Sequence, residues 1–208
     1  VIYLTDHAEE AKEQSRQAVA SQLGAARALR DAGAEIVFMC ADYCFNTGPF
    51  LSPSMFAEFV TPILTEFVDG LHELGMWTVK HTDGDIMPIL DQLVASGTDA
   101  IHSIDPMAGV DIREVRRRCG SDVTLFGNVD CSYLQEAREE LIRESTLYAL
   151  EYGGVDRGSY VLASSNCIFR GVPQRSYDVM LQIREEYGYP GCRRPTDGLE
   201  PPKPMGQR

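Results

Sequence analysis

Long apolar runs are missing from this sequence: the longest, Ile36 to Ala41, has six residues, against the roughly 20 that a membrane-crossing helix needs. The start carries no basic stretch followed by an apolar one, so neither membrane insertion nor export by a leader is expected. Positive charge is also short, with 19 Lys+Arg against 31 Asp+Glu and a net charge of −12. Such a surface repels phosphate backbones, and nucleic acid is not expected as a partner. The six cysteines, at 40, 44, 119, 131, 167 and 192, form no C-x-x-C pair and no compact framework; a reducing compartment, the cytoplasm, is the expected location. An initial Met is absent and Val1 leads almost at once into a helical pattern, which suggests an incomplete chain. What remains is 208 residues with 44% hydrophobic and 24% charged content, enough to bury a sizeable core.

Residues 8–31 are rich in strong helix formers, with Ala18, Val19, Leu23, Ala26 and Leu29 at roughly helical spacing, and Gly33 closes the stretch. Residues 34–40 (AEIVFMC) form a β-branched and aromatic run that predicts a buried strand. Ser52-Pro53 is an N-cap followed by a first-turn proline, opening a helix whose apolar face runs through Phe56, Phe59, Val60, Ile63, Leu64, Phe67 and Leu71 to Gly75. The strand-then-helix unit recurs: strand 77–81 with helix 86–95, strand 100–104 with helix 111–118, strand 123–126 with helix 133–152, and strand 160–163 with helix 174–187. Alternation of this kind predicts an α/β fold of parallel strands joined by helical crossovers. Residues 189–208, with five prolines and no apolar periodicity, are expected to be a disordered tail beyond a folded region ending at 188.

Five units suit either an open sheet or part of a (β/α)8 barrel. No G-x-G-x-x-G follows a strand, as an open dinucleotide-binding sheet would advertise. A barrel places polar residues at the carboxyl ends of several strands, where all ends converge on one site. Here Asp42 and Cys44 follow the first strand, His81 and Asp83 the second, Asp105 the third, Asn128 and Asp130 the fourth, and Asn166 and Cys167 the fifth. The expectation is therefore a partial TIM barrel, with an open five-stranded sheet bearing ordinary helix caps as the alternative.

In His81-Thr82-Asp83-Gly84 the two polar side chains stand two apart on an extended segment, so both can approach one metal ion; a helix-capping aspartate beside a satisfied histidine is the bland alternative. Cys167 lies in the irregular stretch SSNCIFRGVP after a strand, where it can serve as a third ligand, and Cys44 competes for that role. Cys40 and Cys119 read as small buried hydrophobes, and His7, His72 and His102 as structural.

The series ADYCFNTGPFLSPSMFAEFVTP, VKHTDGD, GTDAIHSIDPMAGVDI, LFGNVD and ASSNCIFRGVP, in this order over about residues 25–188, resembles the carboxyl-terminal part of the uroporphyrinogen decarboxylase superfamily. The resemblance implies strands four to eight of a single (β/α)8 barrel. Decarboxylases of the family hold a tetrapyrrole with arginines of their amino-terminal part, and carry a histidine after the last strand where this chain has Asn166-Cys167. The cobalamin-linked branch, which includes methylcobalamin:coenzyme M methyltransferase, holds zinc with a His-x-Cys pair and a later Cys. That resemblance implies a zinc site of His81, Asp83 and Cys167, with aspartate in place of the first cysteine. Around such a site the strand-end residues Asp42, Asp105 and Asn128 are expected as catalytic groups that orient His81 or the substrate, with a corrinoid as methyl donor brought by a corrinoid protein. The expected activity is zinc-assisted methyl transfer from a corrinoid to a thiol, with a small-molecule acceptor. The alternatives are porphyrinogen decarboxylation and a non-catalytic small-molecule-binding barrel; a homo-oligomer is compatible with each.

Overall fold

A computed structural model describes residues 2–204 and 206 of the chain. A short helix α1 (Ile2–Asp6) precedes the long α2 (Ala8–Asp31), and β1 (Ile36–Cys40) follows the turn at Gly33. The loop after β1 holds a two-stranded ribbon, β2 (Cys44–Phe45) and β3 (Gly48–Pro49). Ser52 caps α3 (Pro53–Phe59) as expected, its hydroxyl accepting from the Met55 N–H at 3.2 Å. The single helix expected up to Gly75 is divided at Val60, and α4 (Thr61–Glu73) starts afresh with Pro62 in its first turn. A proline there has no N–H to continue the preceding helix, so the apolar face survives while the axis is broken.

The rest of the chain is β4 (Trp77–Thr82), α5 (Leu90–Ala95), β5 (Ala100–Ser103), α6 (Ile112–Cys119), β6 (Thr124–Val129), α7 (Cys131–Gln135), α8 (Glu139–Gly153), β7 (Tyr160–Ser164) and α9 (Gln174–Tyr187). The helix expected over 133–152 is two helices, separated where Ala137 takes a left-handed φ of 54°.

The five long strands pair in parallel in the order β1-β4-β5-β6-β7. A doubly wound sheet reverses direction at a switch point and carries helices on both faces; this order never reverses. Register separates two faces. Phe38, Val79, His81, His102, Phe126 and Val161 lie on one, and Met39, Lys80, Ile101 and Leu125 on the other. The second face is packed: Met39, Ile101 and Leu125 join Ala26 of α2, Val68 and Leu71 of α4, Leu93 of α5 and Val115 of α6 in one core. Several of these side chains are wholly excluded from water, worth about 1.5–3 kcal/mol each. The first face carries the exposed Ile36, Phe38, Trp77 and Val161. The sheet is thus an unclosed TIM-barrel segment, helices outside and the would-be lumen open.

Residues 189–204 form no helix or strand, yet they are tied to the body. The Arg194 side chain is 1% exposed and pairs with Glu151 at 3.3 Å and Asp156 at 3.1 Å. Its remaining N–H groups donate to the carbonyls of Tyr187 and Tyr189, and Leu199 packs against the helical core. No helix among the described residues is long and apolar enough to cross a membrane.

Candidate metal centre

All five strands point their carboxyl ends the same way, so the polar residues that follow them gather at one mouth. Three meet there: one ligand-type atom from each of Asp42, His81 and Asp83 lies within 4.8 Å of the others. His81 Nε2 stands 3.8 Å from Asp42 Oδ1 and 3.9 Å from Asp83 Oδ1. The period-two argument for His81 and Asp83 is realised at the end of β4. Asp42 arrives from the loop after β1 and is fixed by the Asp83 N–H, which donates to its Oδ1 at 3.2 Å.

Gly84 makes this turn possible. Its φ is +83°, and a Cβ there would stand 2.5 Å from the Phe45 carbonyl oxygen, so the backbone of the β2–β3 ribbon lies where any larger residue would go. The Asp83 side chain beside it is 26% exposed. Its Oδ2 accepts from Asn166 Nδ2 at 2.5 Å, while its Oδ1 is buried with no hydrogen-bond partner. A buried carboxylate oxygen without a donor is costly in isolation, and a cation between it, Asp42 and His81 removes that cost. The donor set therefore fits a divalent metal ion.

Cys167, the third ligand implied by the resemblance, is outside this trio. It stands on the exposed turn after β7, its N–H donating to Asn166 Oδ1 at 2.6 Å, and Asn166 rather than Cys167 touches Asp83. The third member of the trio is Asp42. Cys44 is buried in the ribbon, where burial, then the carboxylates of Asp85 and Asp42, push its thiol up to about 12, and it too lies outside the trio.

Asp105 is buried and receives the Met107 N–H at 2.9 Å. Burial raises its pKa, and the charges of Asp83 and Asp130 add to the effect. Asn128 is buried, and its Nδ2 donates to the Ile104 carbonyl at 3.1 Å. Ile104 has a φ of +56°, a conformation that β-branched residues avoid, so Asn128 holds the bend that delivers Asp105 to the mouth.

Sequence reasoning missed two residues. His102, read as structural, has its Nδ1 2.8 Å from His81 Nδ1; burial, then neighbouring His81, lower its pKa to about 4. The paired register of His81 and His102 on adjacent strands brings them together, and nothing in one strand's sequence reveals its neighbour's register. Lys80, wholly buried, donates through Nζ to the carbonyls of Met39 at 3.1 Å, Ala41 at 2.7 Å and His81 at 2.5 Å. Burial lowers its pKa to about 8. Cys40, read as buried, is exposed on the open face, because its register partner is His81 rather than a core residue. Cys119 is buried as expected.

Residues 4–187 match the family model described as Uroporphyrinogen decarboxylase (URO-D). A uroporphyrinogen decarboxylase of Photobacterium profundum is 31% identical over 170 residues, covering 76% of this chain and 43% of that protein. The chloroplastic uroporphyrinogen decarboxylase of Zea mays is 28% identical over 148 residues, covering 67% of this chain and 34% of that protein. Among solved structures, a methyltransferase from Methanosarcina mazei is similar, with a TM-score of 0.69 and 25% identity over 81% of this chain and 47% of that one. The chain spans less than half the length of these relatives. With the match running through nearly all of the sheet and its helices, the chain belongs to the uroporphyrinogen decarboxylase family.

Proposed function

We propose that the barrel to which this chain contributes catalyses methyl transfer from a corrinoid to a thiol acceptor, assisted by a divalent metal ion, zinc in the first instance, held by Asp42, His81 and Asp83. The observation that supports the reading is the buried Oδ1 of Asp83, which has no hydrogen-bond partner and stands beside Asp42 and His81. When bound, the ion supplies a Lewis acid that makes a coordinated thiol ionise near neutral pH. Two carboxylates cancel the formal charge of a divalent ion, which leaves an anionic acceptor electrostatically acceptable. Asp105, whose pKa is already raised by burial, is the carboxylate suited to take the proton released by the acceptor. Asn166, bonded to Asp83, keeps that carboxylate aimed inward, and Cys167 beside it lines the same mouth. One imidazole with two carboxylates is a harder set than the thiolate-containing set of the family's methyltransferases, and so tolerates manganese or magnesium better.

Porphyrinogen decarboxylation is the second reading, favoured by the names of the curated relatives. Against it, Asp42, Asp83, Asp105 and Asp130 all follow strand ends of this chain, and a substrate bearing many carboxylates calls for cations there instead.

Elemental analysis of the chain purified without chelators, followed by zinc titration of the stripped protein, tests the proposal. About one zinc per chain is expected in wild type, with large losses in Asp42→Ala, His81→Ala and Asp83→Ala and little loss in Cys167→Ala. A wild-type chain that neither retains nor takes up zinc, manganese or magnesium would overturn it.

A further inference from the structure

Arginine is gathered at one place in this acidic chain. Its net charge is −12, yet Arg113, Arg116, Arg117 and Arg157 line a single cavity of about 420 Å³ between α6 and the end of α8. The last residues of α6 lead into β6, and those after α8 lead into β7. The cavity therefore lies toward the amino ends of these strands, away from the mouth where Asp42, His81 and Asp83 meet.

Arg116 is 6% exposed, and each nitrogen of its guanidinium donates to backbone carbonyls. Nε and Nη2 reach Gly153 at 3.0 and 2.5 Å, Nη2 also reaches Ser159 at 2.6 Å, and Nη1 reaches Gly120 at 2.6 Å and Val123 at 2.9 Å. These bonds satisfy its N–H groups without cancelling its charge, because no acceptor among them is a carboxylate. A guanidinium stays protonated, and a buried charge is ordinarily paired with one of opposite sign. Here the charged side chain sharing the cavity wall beside it is Arg157, which makes no side-chain hydrogen bond or ion pair with any described residue. Gly154 has a φ of +108°, and a Cβ on it would stand 3.0 Å from Arg116 Nε. Only glycine lets the backbone lie so close to that guanidinium.

The other two arginines are offset locally. Arg117 holds Glu114 through Nε at 2.7 Å and Nη2 at 2.5 Å, and Arg113 pairs through Nη2 with Asp111 at 3.3 Å while lying 5.3 Å from the Tyr152 ring centroid. Nη1 of each is left without a partner among the described residues. The one carboxylate on the cavity wall, Glu151, is already shared with Arg194 at 3.3 Å. Two positive charges, those of Arg116 and Arg157, remain uncompensated. We infer that this cavity is a second binding site, which takes a small molecule carrying a phosphate or diphosphate group. Guanidinium forks match phosphate oxygens in pairs, and a phosphate near −2 at neutral pH balances the two surplus charges. Arg157 and the free Nη1 groups supply the donors, and Arg116 supplies charge from behind. Four guanidiniums in one cavity suit a small molecule, whereas an extended nucleic acid meets the repulsion of the acidic surface around it. The inference does not depend on the metal reading.

Isothermal titration of the full chain with sodium pyrophosphate, after removal of divalent metal and at near-physiological salt, tests it. Saturable binding of about one pyrophosphate per chain is expected. Arg157→Glu should weaken it at least about tenfold, the loss of one charge-assisted contact, and Arg157→Gln should weaken it less. Because Arg157 holds no other residue, both variants are expected to keep the circular dichroism of wild type. Arg27→Glu makes the same change of charge on the exposed side of α2 and should leave binding unaltered, as should His81→Ala at the mouth. Four results would overturn the inference. They are no saturable binding, an equal loss in Arg27→Glu and Arg157→Glu, a loss in His81→Ala with none in either Arg157 variant, and citrate bound as tightly as pyrophosphate. The first leaves no site, the second reduces it to general charge, the third moves it to the mouth, and the fourth removes the preference for phosphate.

Discussion

At the scale of single residues, Lys80 shows how a buried charge can support a site without entering it. It belongs to the helix-facing side of β4, where its register neighbours Met39 and Ile101 are apolar. Its ammonium lies 4.1 Å from the Tyr43 ring centroid and donates to carbonyls on both sides of the Asp42 loop. Desolvation lowers its pKa to about 8, so at neutral pH the side chain remains protonated and those bonds remain charge-assisted. Replacing it by methionine relieves the desolvation of the charge but leaves carbonyls of Met39, Ala41 and His81 without this donor. Unsatisfied buried acceptors cost about 1–3 kcal/mol each, so a net loss of about 2–4 kcal/mol is expected in Lys80→Met. Urea unfolding monitored by circular dichroism checks it; a variant as stable as wild type would show that water or backbone shifts satisfy those carbonyls. Lys80 was not legible because a lysine inside VKHT gives no sign of which sheet face it occupies. His81 and Asp83 were legible because a period of two puts them on one side whatever the neighbouring strands do. Asp42 was visible as a strand-end residue, but its place beside them depends on the loop closing over β4, which spacing alone does not supply.

At the scale of elements, the alternation of strands and helices was readable because each crossover is long enough to show its own period. The departures have local causes: Pro62 divides one expected helix, the left-handed Ala137 divides another, and the β2–β3 ribbon is too short to carry a pattern. How the elements are fastened was hidden. Asp99, in the turn before β5, accepts from His72 Nε2 of α4 at 2.8 Å, from the Thr78 N–H of β4 at 2.8 Å and from Thr78 Oγ1 at 2.7 Å. Burial acts to raise its pKa, but these bonds outweigh burial and hold it below the ordinary carboxylate value. Because the folded carboxyl binds its proton more weakly than the unfolded one, the contribution is complete above the unfolded pKa of about 3.9 and is lost as pH falls through the lower folded value. Asp99→Asn is therefore expected to be less stable than wild type at pH 7, by about 1–2 kcal/mol, with the difference shrinking below pH 4. Thermal melts of both proteins between pH 7 and pH 3 measure it. A gap that stays constant through the acid range would show that the charge on Asp99 contributes nothing and that only its shape matters.

At the scale of the whole molecule, the sheet has two ends and one uncovered face. Among the described residues β1 pairs in the large sheet only with β4, and β7 only with β6, so the outer backbone groups of both strands lack ladder partners. Between them the face that points away from the helices carries Ile36, Phe38, Trp77 and Val161, which are 55%, 47%, 64% and 40% exposed. Phe38 is held edge-on to Phe126 at 5.5 Å, so these side chains form part of an ordered apolar surface. A parallel sheet is normally covered on both faces, and an unpaired apolar edge is a template for pairing with another chain. The family's relatives are more than twice as long as the aligned region, and a closed barrel supplies both the missing strand partners and an enclosed interior. The 208-residue chain by itself is therefore expected to self-associate through these edges and this face, in a concentration-dependent manner despite its net charge of −12. Sedimentation velocity over a hundredfold range of concentration is the measurement. Charged replacements on the open face, Phe38→Glu with Val161→Lys, should shift the distribution toward monomer while leaving the helix-facing core intact. A wild-type chain that stays monomeric throughout the range and melts cooperatively would mean that the five-stranded sheet is self-sufficient, and that its open face is a surface the protein tolerates in water.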